Sequence, residues 1–421
     1  MTDGRMPEKR RPVERAEPPT PGLFQAWGIE MEYMVVDRDT LRVKPVVDEL
    51  FERVAGAPVN AIDRTPVAWS NELAAHVVEL KNPFPASSWK GLAGDFQASV
   101  SDLNRLLAPM DARLMPSGMH PLMDPLRETR LWPRGDMEIY DTFNRIFDCR
   151  GHGWSNLQSA HLNLSFRGDD EFRRLHSAIR MVLPLIPALA ASSPFQEGEA
   201  TGFLDTRLEN YRRNCLRVPQ VTGQVIPEVC ASEGEYREKI FKPMRRAMAP
   251  HDPDEILEEI WLNARGAIAR FDRGSIEIRL CDSQEGPAGD LAVLSSVAAL
   301  VRALVETGDR DAFDSLDSGE LAEVLHDCIR LGENAPVKHE VYLRALGASP
   351  GPAGPILRDL LDRHHAFLPE LDAEVHRARE QILGHGTLAT RLIARSREKG
   401  LRATYAHLAD CMACGAGFPA A

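Results

Sequence analysis

The chain has 421 residues, 43% of them hydrophobic and 27% charged, with a formal net charge of -12. That length allows a large core and two or three domains. The negative balance argues against a general nucleic-acid binder, which would neutralise phosphates with Lys and Arg, and the lack of a run of about 18 apolar residues argues against a membrane span.

Taken in chain order, Met1 to Arg10 lack the apolar stretch of a secretory signal. With Pro12, Pro18, Pro19 and Pro21 set among charges, residues 1–22 are too polar to offset the entropy of ordering, and a disordered tail is expected. Trp27 to Val36 is apolar with two acids and reads as a strand. Ser87 or Ser88 is placed to cap a helix running to Leu107, with Leu92, Phe96, Val100 and Leu103 at helical spacing. Ala112 to Pro116 reads as a short strand, Gly118 to Pro121 as a turn, and Ser159 to Phe166 as an alternating strand. Asp169 or Asp170 then opens a helix reaching Leu189. Gln196 to Arg217, polar and Arg-rich, reads as a functional loop rather than a core element, and Ile276 to Cys281 as another strand.

After Asp290 the pattern turns helical, over Leu291–Val305, Leu321–Leu331, Ile356–Leu368 and Glu374–Ile393, with a loop at Gly347–Pro355. The order predicts an α+β core over 23–290 and a mainly helical region over 291–421 packed on one sheet face. Seven scattered cysteines, Cys149, Cys215, Cys230, Cys281, Cys328, Cys411 and Cys414, read as reduced thiols of a cytoplasmic protein. Only Cys411 and Cys414 are closely spaced, and no second pair completes a zinc site.

The polar sides of four strands carry the chemistry. Strand alternation sets Glu30 and Glu32 opposite Ile29, Met31 and Tyr33. Glu79 alternates with Val78 and Leu80; His161, Asn163 and Ser165 alternate with apolar neighbours; Glu277 and Arg279 stand opposite Ile276, Ile278 and Leu280. Singly, each reads as an amphipathic antiparallel strand with one wet face. Together they offer Glu-x-Glu, Glu, His-x-Asn and Glu-x-Arg, a set that repels itself unless cations neutralise it. If the strands share a sheet, the oxygen-dominated donors suit Mg²⁺ or Mn²⁺ better than zinc. Arg279 is placed to meet a transferring phosphoryl group. No Walker A or G-x-G-x-x-G motif stands at a strand–helix junction, so a nucleotide would be held through metals and arginines.

At these residues the chain resembles the bacterial glutamate–cysteine ligase family, with its broader carboxylate–amine ligases, a distant relation of glutamine synthetase. The resemblance rests on Gly28-Ile29-Glu30-Met31-Glu32, Val78-Glu79-Leu80, Ser117-Gly118-Met119-His120-Pro121, Ser192-Ser193-Pro194-Phe195, Asp205-Thr206-Arg207 with Arg212, and Ser275 to Asp282. It implies a glutamine-synthetase-like, mainly antiparallel sheet curved into a catalytic funnel, with helices on its outer face. By position it implies that Glu30, Glu32, Glu79, His161 and Glu277 hold divalent ions, with Glu72 a weaker alternative to Glu79. Glu277 and Arg279 would be catalytic, Arg265 and Arg279 would meet the nucleotide, and Arg207, Arg212, His120 and Asn163 would meet the substrate. Asn163 stands where many relatives carry a second histidine.

The reaction so implied joins a carboxylate, the γ-carboxylate of glutamate, to an amine such as cysteine, with ATP as co-substrate and an acyl phosphate between. Small molecules are the expected partners, and a homo-oligomer is compatible with the family's habit of completing sites between subunits. Two other readings fit the same residues: a two-metal phosphoesterase or nucleotide hydrolase, and a non-catalytic relative that binds a nucleotide or amino acid. For His120 the alternative is a packed structural histidine, and for Arg207 and Arg212 ordinary pairing with Glu209 and nearby acids.

Overall fold

The computed structural model describes residues 20–135 and 137–420. All but the last three residues of the tail expected over 1–22 lie outside that range. The main sheet has eight strands: β1 (Trp27–Asp37), β2 (Ala61–Ile62), β3 (Ala68–Asn71), β4 (Val77–Lys81), β5 (Ala112–Met115), β6 (Ser159–Ser165), β7 (Ala267–Arg270) and β8 (Ser275–Asp282). Their order is β2-β3-β4-β1-β6-β8-β7, and all these pairings are antiparallel. Beyond Met31, where the β6 ladder ends, β1 runs on to pair with β5 from Met34 to Asp37.

One face of this sheet is apolar and covered. Ile29, Met31, Tyr33, Val78, Leu80, Leu162, Leu164, Ile276, Ile278 and Leu280 are fully buried. They share one continuous core with residues of α1 (Leu92–Leu107), α2 (Gly168–Val182) and α3 (Pro287–Thr307). Each such side chain contributes about 1.5–3 kcal/mol relative to exposure, and the alternation that buries them turns the acids to the other face.

α3 is, by length and composition, apolar enough to cross a membrane, which the sequence alone was not expected to hold; 89% of its apolar window is buried in the fold. It starts at Pro287, inside the core segment expected to close at 290, so packing runs continuously across that boundary. Its anchor is polar. Asp290, in the first turn, accepts from the Tyr33 hydroxyl (2.5 Å) and the Gln284 N–H (2.7 Å), tying the helix to β1. The C-terminal tail is tied in by Arg391, which pairs bidentately with Glu285 (3.0 and 3.2 Å) and donates to the Phe418 carbonyl (2.6 Å).

Several boundaries differ from expectation. α1 begins at Leu92, not at Ser87 or Ser88, after Gly91 in a left-handed conformation (φ 91°). α2 begins at Gly168 and gives way after Val182 to a 3₁₀ turn and a short helix, each with a proline, Pro184 and Pro187, near its start. The expected Glu374–Ile393 helix is two, Ala373–His385 and Leu388–Lys399, parted at Gly386 with φ 86°. The segment Gln196–Arg217, expected as a loop, contains the helix Thr206–Tyr211, with Thr206, Arg207 and Leu208 buried. A last helix, Leu401–Cys414, was not foreseen; Cys411 is buried in its final turn and Cys414 exposed.

Burial pushes the Asp290 carboxyl up to about 7, against the opposing pull of its Tyr33 and Gln284 hydrogen bonds. The folded chain therefore holds a proton that the unfolded chain, near 3.8, releases, so this group costs stability increasingly as pH rises from about 4 to 7 and by a constant amount above. Asp290→Asn removes the charge. Its stability relative to wild type should climb by up to about 4 kcal/mol across that window, measured by urea unfolding at a series of pH values.

Candidate active site

The register of four ladders assembles the polar face. Glu30 of β1 lies opposite Lys81 of β4 on one side and His161 of β6 on the other. Glu32 lies opposite Glu79, and Glu79 opposite Ser70 of β3. Asn163 lies opposite Glu277 of β8. Directly opposed residues in antiparallel strands share a face, so acids more than two hundred residues apart in the chain meet on one floor. The floor is the base of a cleft of about 650 Å³, also lined by Glu72, Arg270 and Arg279 and walled by Tyr140, Phe143, Trp154 and Trp261.

His161 is the hub. Its Nδ1 is 3.1 Å from Glu30 Oε2 and 3.9 Å from Glu277 Oε1, and its Nε2 is 3.0 Å from Ser159 Oγ and 3.7 Å from Glu32 Oε1. The Ser159 N–H and hydroxyl both donate to Glu32 Oε2, at 2.8 and 2.9 Å, and the Asn163 amide donates to Glu30 Oε1 at 3.1 Å. Ser70 donates to Glu79 Oε1 at 2.6 Å, and Lys81 Nζ reaches the same oxygen at 2.5 Å. Arg279 binds Glu277 Oε1 through Nε and Nη2, and Arg270 approaches Glu277 Oε2 at 3.7 Å.

The electrostatics split the acids. Burial alone would raise Glu30, but the His161 hydrogen bond and charge, with Lys81 and Arg279, hold it down at about 2. Burial and the Glu30 charge push Glu79 up to about 7 despite Lys81, and burial with the charges of Glu32 and Glu79 drives Glu72 well above the carboxylate range. Burial would depress His161, but Glu30, Glu32 and Glu277 together raise it. Among the described residues, two sets offer ligand atoms within 4.8 Å of one another: Glu30, Glu79 and His161, and Glu32, Glu72 and Glu79. Both are rich in oxygen, share Glu79 and contain acids that hold their protons for want of positive charge, a donor set that fits Mg²⁺ or Mn²⁺. Glu72 thus stands beside Glu79 in this site rather than as its substitute.

Residues 26–332 match glutamate-cysteine ligase family 2. The chain belongs to that family. A protein of Archaeoglobus fulgidus with no assigned function is 36% identical over 283 residues, covering 66% of this chain and 74% of its own. A protein of Rubrobacter xylanophilus provisionally named glutamate--cysteine ligase 2-3 is 26% identical over 288 residues, covering 66% and 69%. Among solved structures, the glutamate–cysteine ligase of Francisella tularensis, in complex with AMP, superposes with a TM-score of 0.57 at 11% identity over 92% of this chain and 88% of that one. At that identity the likeness speaks for the fold alone: the mainly antiparallel sheet that the resemblance implied, with the C-terminal helices that the apolar pattern predicted.

Within this family framework, four residues expected to meet substrate or nucleotide are engaged elsewhere. Arg207 borders the cleft, but its guanidinium is buried on Asp282 through Nε and donates to the Leu280 carbonyl at 2.7 Å. Arg212 pairs bidentately with Glu209, at 2.6 and 2.9 Å. Arg265 is buried in a bidentate pair with Glu228, both bonds 2.6 Å. His120 is buried, its Nε2 2.6 Å from the Leu41 carbonyl and its Nδ1 accepting from the Leu122 N–H. Asn163 is at the site, but its amide orients Glu30. Lys81, Ser70, Ser159 and Arg270 went unnoticed in the sequence; Lys81 follows Glu79 by two residues, so strand alternation alone could have placed it on the floor.

The Arg207–Asp282 pair separates a structural from a binding role. Arg207→Met leaves Asp282 buried without its partner and should lower stability by about 3–5 kcal/mol, seen as an earlier urea midpoint. An unchanged midpoint with weakened substrate affinity would return Arg207 to the binding site.

Proposed function

We propose that this chain is an ATP-dependent carboxylate–amine ligase that activates the γ-carboxylate of glutamate as an acyl phosphate and transfers the acyl group to an amine, cysteine or another amino compound. The observation that carries this reading is the convergence of Glu30, Glu32, Glu72, Glu79, His161 and Glu277 on one cleft floor beside Arg279, inside the segment that matches the family. The adenine nucleotide bound by the Francisella enzyme supports ATP as the phosphoryl donor.

These acids and His161 would hold Mg²⁺ or Mn²⁺, which supplies positive charge to the phosphoryl oxygens during transfer. The chain's own residues do the rest. A substrate carboxylate oxygen attacks the γ-phosphorus and ADP leaves; the neutral amine nitrogen then attacks the acyl carbon, phosphate leaves, and the nitrogen's proton passes to that phosphate or to solvent, giving an amide. Arg279, held at the cleft by Glu277, offers a permanent positive charge to the phosphoryl group in both steps. Arg207 and Arg212 pair with Asp282 and Glu209. Arg270 and Arg273, on the same cleft, pair at 3.4 and 3.7 Å with the half-exposed Asp272, from which a substrate carboxylate would draw them.

The direct test is ADP release from ATP, Mg²⁺ and glutamate with a panel of amines, including hydroxylamine to trap the acyl phosphate as a hydroxamate. Hydroxamate that requires both ATP and glutamate is expected; ADP release indifferent to any acceptor would favour the nucleotide hydrolase instead. Arg279→Ala should reduce kcat by at least about a hundredfold. Metal affinity carries its own pH signature. Glu79 is held up to about 7, and His161 is also raised, so both must lose protons before an ion can bind. Mn²⁺ affinity should therefore increase as pH rises from 5 to about 8, with proton release in calorimetry; affinity flat across that range would contradict the ligand set.

A further inference from the structure

The floor carries a cation that no step above uses. Lys81 faces Glu30 across the β4–β1 ladder, and its ammonium is 2.5 Å from Glu79 Oε1. Glu79 is the one carboxylate common to both candidate ligand sets. An ammonium on that oxygen and a divalent ion beside it cannot both be accommodated without strong repulsion, because like charges a few ångströms apart in a buried setting oppose each other steeply.

The two partners differ in freedom. The Glu79 side chain is 8% exposed and keeps a second hydrogen bond from Ser70 at 2.6 Å, so its position survives loss of the lysine. The Lys81 side chain is 40% exposed, lines the cleft and holds Glu79 by a single contact from a flexible stem. Arg279, by contrast, grips Glu277 through two nitrogens.

We propose that Lys81 is an internal counter-ion that competes with divalent metal for Glu79, swinging off that carboxylate into the cleft as metal loads and there meeting the phosphoryl oxygens of the nucleotide. The inference rests on the ligase reading in taking the floor as a metal site and the cleft as the nucleotide's. It makes metal loading and nucleotide contact two ends of one movement: the ion frees the ammonium, and the phosphate gives it a new partner. Lys81 is thus a positioning residue for the metal and a phosphate contact afterwards.

The test is Mn²⁺ binding to chelator-treated full-length protein, followed by electron paramagnetic resonance of the free ion with no nucleotide present. Wild type, Lys81→Met, Lys81→Arg and Glu79→Gln are compared. Lys81→Met should bind Mn²⁺ roughly tenfold tighter than wild type or more, since a competing charge is gone. Lys81→Arg should stay close to wild type, and the chelated Lys81→Met protein should melt earlier than wild type and gain more from Mn²⁺. Equal or weaker binding by Lys81→Met, with wild type still binding and Glu79→Gln impaired, overturns the lysine's role while leaving the metal site intact. No Mn²⁺ binding by wild type would overturn the metal reading itself, and this inference with it. Should Lys81→Met fail to fold, reductively ¹³C-methylated wild type gives the same answer by NMR. The Lys81 signal, assigned through Lys81→Arg, should shift on adding Mg²⁺ and again on adding a non-hydrolysable ATP analogue; a signal unmoved by Mg²⁺ overturns the proposal.

Discussion

Glu30 sits between Lys81 and His161, one on each neighbouring strand, and the site depends on that register. A slip of one residue in either ladder would carry its acids to the apolar side and its isoleucines and leucines into the cleft. The slip is prevented from below. Ile29, Met31 and Tyr33 of β1 are locked between Val78 and Leu80 on one side and Leu162 and Leu164 on the other, under α1, α2 and α3. The apolar face thus fixes where the charged face places its oxygens. The mutual repulsion of Glu32, Glu72 and Glu79 is a load that the packed core bears, relieved in part by Ser159, Ser70, Lys81 and His161.

The arginines of the family motifs divide by depth. Arg279 reaches the cleft, whereas Arg207 and Arg265 are buried on Asp282 and Glu228. Asp282 is the centre of a second polar structure behind the floor: it also accepts from the Ser192 N–H at 2.8 Å and the Ser193 hydroxyl at 2.7 Å, and Gly118 packs so close to it that any Cβ would collide. The Ser-Ser-Pro-Phe, Asp-Thr-Arg and Gly-Met-His-Pro segments therefore converge on the end of β8 and hold it in place. A buried pair of this kind is costly to break from one side, so such residues are constrained as tightly as those that touch a substrate, for a different physical reason.

The helical region after residue 332, beyond the family match, is joined to the same core rather than appended to it. Arg391 reaches back to Glu285 at the start of α3, and α3 reaches through Asp290 to Tyr33 on β1. From the last helices to the back of the acidic strand run two buried polar links, Arg391 to Glu285 and Asp290 to Tyr33.

What the sequence determined by itself was local. Alternation at Glu30-Met31-Glu32, His161-Leu162-Asn163 and Glu277-Ile278-Arg279 marked strands with one polar side, because side chains two apart must share a face. Apolar composition marked a helical run over Leu291–Val305, within the helix that starts at Pro287. The sequence could not say where Arg207, Arg212, Arg265 and His120 point, since a guanidinium or imidazole on an irregular segment is directed by whichever partner the fold brings near. Nor could it separate Glu72 from Glu79, or set Lys81, which alternation puts on the same side as Glu79, opposite Glu30. Those depend on which strands become neighbours and in what register, and that was decided only when the apolar faces of β4, β1, β6 and β8 closed over a common core.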